Sequence, residues 1–126
     1  MPEQVLIHNL THPNTPPIQA RYCSSFACRL RGLTFRRSLT SGEGLLLVQR
    51  RDSRMDASIH MLFVWIDLGI IWINNAQQVV DMRLARRWRP AYLPARPARF
   101  VLELSPERMK EFNVGDQLSL ESTFVI

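Results

Sequence analysis

His60 and Asp67 are the only ionisable groups in the most apolar stretch of the chain, SIHMLFVWIDLGIIWINN at Ser58–Asn75. An imidazole and a carboxylate held in apolar surroundings can have shifted proton affinities and can hold a polar ligand. With Arg36 as a cationic third contact, they form a candidate ligand-binding set. The same His60–Asp67 pair is what a hydrolase-like enzyme would use, and that is a further alternative.

A second constellation is basic. Arg86, Arg87 and Arg89 surround Trp88, with Tyr92 nearby. Guanidinium groups beside an aromatic ring can hold single-stranded nucleic acid by charge and stacking. This set is the candidate polyanion site, weighed against a simple solvated surface. Arg36-Arg37, and Arg50-Arg51 with Arg54, form two more clusters.

His8, His12, Cys23 and Cys28 supply two imidazoles and two thiols, the donor set of a tetrahedral zinc site. Their order and cysteine spacing differ from common zinc fingers. They are therefore read as surface imidazoles and small buried thiols, and no metal site is assigned. No Gly-rich phosphate loop, serine nucleophile elbow or metalloprotease helix is present. The residues imply no cofactor. The leading expectation is a non-enzymatic domain that binds a small molecule or a protein partner, with nucleic acid or another polyanion as the alternative.

These residues need a framework. At 126 residues the chain suits one domain spanning 1–126. Fifteen of its sixteen basic residues are Arg, and the net charge is +5. Two cysteines are too few for a disulfide framework. No signal peptide is visible, so a cytoplasmic, soluble protein is expected. A membrane span is not expected, since Ile59–Ile73 is only fifteen residues with Asp67 at its centre.

The β-branched and aromatic content of Ile59–Ile73 predicts strand over Ile59–Ile66 and Leu68–Ile73, with Gly69 a bend or bulge between them. Phe63 and Trp72 are then core residues. NNAQ predicts a turn, and QVVDMRL alternates as a half-buried strand, completing a hairpin. Further strands are expected at Val5–Leu10, Ile18–Tyr22, Leu45–Gln49, Phe100–Leu104 (with one wet face) and QLSLE. Ser24 or Ser25 caps a short helix through SFACRLRGL, and Ser105-Pro106 starts a second of about two turns. Ala85–Pro97 reads as an irregular connection. The total is six to eight short strands and two short helices, a mainly β sandwich or barrel.

Four blocks in order resemble one family. RLRGLTFRRSL, GEGLLLV, the apolar hairpin with NNAQQVV, and FVLEL with NVGD together resemble domain of unknown function 192, over about Ile18–Glu121. The chain departs from the family pattern at Ile59-His60-Met61-Leu62, and Asp67 and Gly69 stand where that pattern has Pro and Asp. The resemblance implies a jelly-roll-like fold and no activity.

Overall fold

The computed structural model describes residues 3–32 and 38–124. Its strands are β1 (Glu3–Asn9), β2 (Ile18–Cys23), β3 (Glu43–Ser53), β4 (Leu68–Ile73), β5 (Val79–Ala85), β6 (Ala98–Leu104) and β7 (Leu118–Phe124). The helices are α1 (Phe26–Arg31) and α2 (Pro106–Met109). All seven strands lie in one sheet, ordered β5-β4-β6-β3-β2-β1-β7. Every pairing is antiparallel except β2 with β3. That exception follows from the crossover through α1, since parallel neighbours need a long connection.

The mainly β expectation with two short helices is met. The closed barrel is not. The sheet curls far enough for Gln78, just before β5, to bridge Gln117, just before β7. No ladder continues from that bridge among the described residues, so the sheet stays open.

Each face of the sheet carries its own apolar core. One face gathers Val5, Ile7, Ile18, Leu46, Val48, Ile71, Ile73, Phe100, Leu102 and Leu104. The other gathers Leu45, Leu47, Ile70, Trp72 and Val101 with Ile59, Met61 and Val64 from the connection that precedes β4. The two-residue period of each strand divides these sets. β4 is buried at all six positions, which explains its unbroken apolar run.

Four expectations need correction. Ile59–Ile66 is not a strand: only Ile59 pairs, in an isolated bridge to Tyr92, and the rest is turn and loop. Phe63 is consequently 50% exposed, not core. Gly69 makes neither bend nor bulge. It lies within β4, where an added Cβ would stand 3.0 Å from the Met109 Cβ, so glycine lets α2 pack directly on the strand. The register shift falls between Trp72 and Ile73. Lastly, β6 has no wet face: Val101 and Glu103 are both buried, because the segments before β4 and after β2 cover that side.

Local signals placed the rest. Ser25 caps α1, accepting a hydrogen bond from the Cys28 amide at 3.2 Å, and Gly32 ends it at φ 50°. Asn74–Gln78 closes the β4–β5 hairpin, with Gln77 at φ 64°. Pro106 opens α2, which is one turn rather than two. Asp116 in the NVGD turn is buried and accepts from the Asn9 side chain at 2.8 Å and the Asn113 amide at 2.9 Å. This Gly-Asp block is structural: it ties the turn before β7 to the end of β1.

Candidate functional site

Two chain segments lie side by side over the second core. The amides of Ile59 and Tyr92 donate to each other's carbonyls at 3.0 and 2.9 Å. Further along, Met61 N–H donates to Arg89 O, and Trp88 N–H to Met61 O, both at 2.9 Å. The resulting ribbon joins a polar cleft at one end to an aromatic ledge at the other.

The cleft has a volume of about 830 Å³ and is lined by Arg29, Gln49, Arg50, Arg51, Asp56 and His60, with Leu47, Ile59, Pro90 and Ala91 among its apolar walls. Among the described residues, three guanidiniums and one carboxylate line it. Arg29 is held in place, donating from Nη1 to the Val48 carbonyl at 3.0 Å. Arg50 and Arg51 end the buried part of β3, where the strand emerges into solvent. Planar guanidiniums at the rim of an apolar-floored cleft suit an oxyanion, which they can bind in bidentate fashion.

Of the sequence-derived ligand set, His60 lines this cleft. Asp67 does not. Its Oδ1 accepts from the Arg87 amide at 2.8 Å and from Arg87 Nε at 3.3 Å, and Arg86 Nη1 lies 3.7 Å from Oδ2. The Arg87 amide, with the guanidiniums of Arg87 and Arg86, holds the Asp67 carboxyl below its usual range. Asp67 thus belongs with the basic cluster, and His60 with other arginines. Arg36 lies outside the described residues.

The ledge contains Trp88 of the basic constellation, joined by Phe63, which the sequence predicts as core, and by Trp65 of the expected strand Ile59–Ile66. Phe63 and Trp65 meet Trp88 edge-on, with centroids 5.3 and 5.1 Å apart. The three side chains are 50%, 42% and 40% exposed. Arg86, Arg87 and Arg89 flank them, all exposed.

Cys23 and Cys28 form a disulfide joining the end of β2 to α1, which corrects the reading of both as free thiols. The bridge fixes the helix that carries Arg29. A loop this short is worth about 2 kcal/mol of stability in the chain-entropy account. Urea melts with and without reductant should differ by that amount; superimposable melts would show that the bridge contributes nothing. No group of three or more His, Cys, Asp or Glu fit to hold a metal occurs among the described residues.

Sequence reasoning missed Arg29 and treated Arg50 and Arg51 as solvated surface. It also missed Glu103, whose carboxyl is buried beneath Gly32: a Cβ on that glycine would stand 3.7 Å from Oε1. The available signal was the length of the apolar run. Fifteen residues exceed the five or six of an ordinary strand, so part of Ile59–Ile73 had to lie elsewhere.

The model of the family described as "Uncharacterized ACR", domain of unknown function 192, matches residues 8–120. The chain is similar to a UPF0127 protein of Thermococcus gammatolerans, 36% identical over 79% of this chain and 64% of that one. A second, from Thermococcus kodakarensis, is 31% identical over 83% and 66%. The chain therefore spans about two thirds of the length of these two relatives. A UPF0127 protein of Pyrococcus furiosus is 33% identical over 87% of this chain and 93% of its own. Among solved structures, a "putative transcription regulator" from Sinorhizobium meliloti 1021 superposes with a TM-score of 0.83 at 18% identity, covering 95% and 94% of the two chains. A protein of unknown function from Novosphingobium aromaticivorans gives 0.77 at 20%, covering 92% and 83%. At these identities the superpositions establish the fold alone.

Proposed function

We propose that this chain, which belongs to the uncharacterised family domain of unknown function 192, is a single small binding domain whose ligand is an oxyanion held in the basic cleft. The observation that carries this reading is the lining: among the described residues, Arg29, Arg50 and Arg51 with His60 around one cavity, against the carboxylate of Asp56. The arginines supply charge and paired N–H donors, His60 a further polar contact, and Leu47 and Ile59 an apolar floor. Separation of Asp67 from the cleft favours binding over acid–base hydrolysis by a His60–Asp67 pair.

Inorganic phosphate and a small dicarboxylate are suitable probes. Titrated into labelled protein, they should shift the amide resonances of Arg29, Arg50, Arg51 and His60. Arg50→Glu with Arg51→Glu should weaken binding at least about ten-fold, and Arg50→Lys should lose part of it, because an ammonium cannot reproduce the planar fork. Unmoved resonances at tens of millimolar anion would end the proposal.

No helix among the described residues is long and apolar enough to cross a membrane. The disulfide favours an oxidising compartment over the expected cytoplasm, since such bonds are rare in reducing cytosol, hyperthermophiles excepted.

A further inference from the structure

We propose that the ligand of the basic cleft is a hydroxylated anion of the sugar-acid or sugar-phosphate class, its charge on the arginines and its hydroxyls on Gln49 and Asp56. This deepens the oxyanion reading and rests on it.

The first observation is Gln49. It follows Leu47 by two positions on β3, so both side chains lie on one face of the strand, and both line the cleft. Gln49 is 7% exposed. Its carbonyl accepts from Arg99 Nε at 3.0 Å, which fixes the backbone there, yet its side-chain amide has no hydrogen-bond partner among the described residues. A buried amide is normally paired within the protein. This one offers the cleft an acceptor oxygen and an NH2 donor. Solvent satisfies it while the cleft is open, so a ligand that displaces that solvent has to replace both functions. A hydroxyl does so, because it donates and accepts. A hydrocarbon or a lone carboxylate does not.

The strand is shaped to bring charge beside that amide. Val48 pairs with Phe100 and Ser53 with Ala98, so more of β3 than of β6 lies between the two pairs. The excess leaves the regular ladder, and Arg50 and Arg51 within it are exposed.

The second observation is Asp56. Its amide donates to Ser53 Oγ at 3.1 Å, which holds the residue in the turn after β3. Among the described residues, ion pairs join His12 with Asp116, Arg86 and Arg87 with Asp67, and Arg108 with Glu111; Asp56 is in none of them. The arginines of the same cleft therefore leave this carboxylate as an acceptor for a ligand. An ammonium group would also satisfy it. A cation entering there, however, meets arginines that outnumber the carboxylate among the described residues, whereas a hydroxyl donates without adding charge. Adjacent hydroxyls on a ring match the two oxygens of a carboxylate. Ile59, Pro90 and Ala91 offer apolar wall to the C–H face of such a ring.

The test titrates the full chain with anions that differ in hydroxyls, read on the amide resonances of Arg29, Arg50 and Arg51. Glucuronate is set against cyclohexanecarboxylate, and glucose 6-phosphate against methyl phosphate. The hydroxylated member of at least one pair should bind about ten-fold tighter, the worth of one or two net hydrogen bonds. A gain in the first pair alone selects a sugar acid; a gain in the second alone selects a sugar phosphate. Gln49→Leu and Asp56→Ala should each cut the preference to about two-fold. Gln49→Leu conserves volume and removes a buried amide without a partner, so it should fold, as urea melts would verify. No preference in either pair overturns the proposal and leaves the cleft a plain anion site. A preference undiminished in both folded variants also overturns it. So does tighter binding of γ-aminobutyrate than of either sugar anion, which would assign Asp56 to an ammonium. If no anion moves these resonances, methyl phosphate included, the oxyanion reading itself fails and takes this inference with it.

Discussion

Trp72→Ala should lower the free energy of unfolding by about 3–5 kcal/mol, the range for removing a large aromatic side chain from a core. Trp72 is fully buried in the middle of β4, opposite Val101 of β6 and Asp81 of β5. Two losses combine. Truncation leaves a cavity among Leu47, Ile70 and Val101 that close-packed neighbours fill only in part. It also removes the indole N–H that donates to the Ala57 carbonyl at 2.8 Å, leaving a buried acceptor without its partner. That hydrogen bond fastens the connection before β4 to the sheet, so the variant should also loosen the ribbon carrying cleft and ledge. Phe63→Ala is the matched control. Half exposed, Phe63 should cost about 1 kcal/mol or less. Urea melts of both variants check the contrast. Equal losses would mean that the segment around Phe63 packs as core after all.

The next largest effect concerns Glu103. It stands in β6 between Leu45 of β3 and Ile70 of β4, 4% exposed, and its Oε1 has no hydrogen-bond partner among the described residues. Burial favours the neutral acid and pushes its pKa up from an ordinary 4.5 to about 7. The consequence for stability has a definite sign. Below about pH 4.5 the carboxyl is protonated whether the chain is folded or not, and it contributes no penalty. Between 4.5 and 7 the unfolded chain releases the proton while the folded one retains it, so stability falls as pH rises. Above 7 both forms are ionised and the full penalty remains, about 3 kcal/mol. Glu103→Gln should remove this descent and make the protein more stable than the parent at pH 8, while matching it near pH 4. Parallel stability profiles for the two proteins would show that Glu103 keeps its ordinary proton affinity.

Much of the framework is local in origin and was readable. The hairpin of β4 and β5, the Ser25 cap with Gly32 closing α1, Pro106 at the start of α2 and the NVGD turn each depend on a few adjacent residues. Short-range sterics and hydrogen bonding decide such features wherever the segment sits. The unbroken apolar run of β4 likewise announced a strand covered on both faces.

Tertiary structure alone decided where the surplus apolar residues go and what meets what. Periodicity reports that a residue is apolar; it does not report whether a sheet, a loop or solvent will face it. Ile59–Ile66 carries the composition of a strand, yet the places beside β4 are taken by β5 and β6, so this segment folds over the sheet. Met61 and Val64 then point inward, and Phe63 and Trp65 outward. Arg29 and Arg50 are remote in sequence and converge only because β2 and β3 run parallel across α1. Asp67 paired with Arg87 rather than joining His60 for the same reason: long-range chain placement, which no local pattern encodes, sets which charges become neighbours.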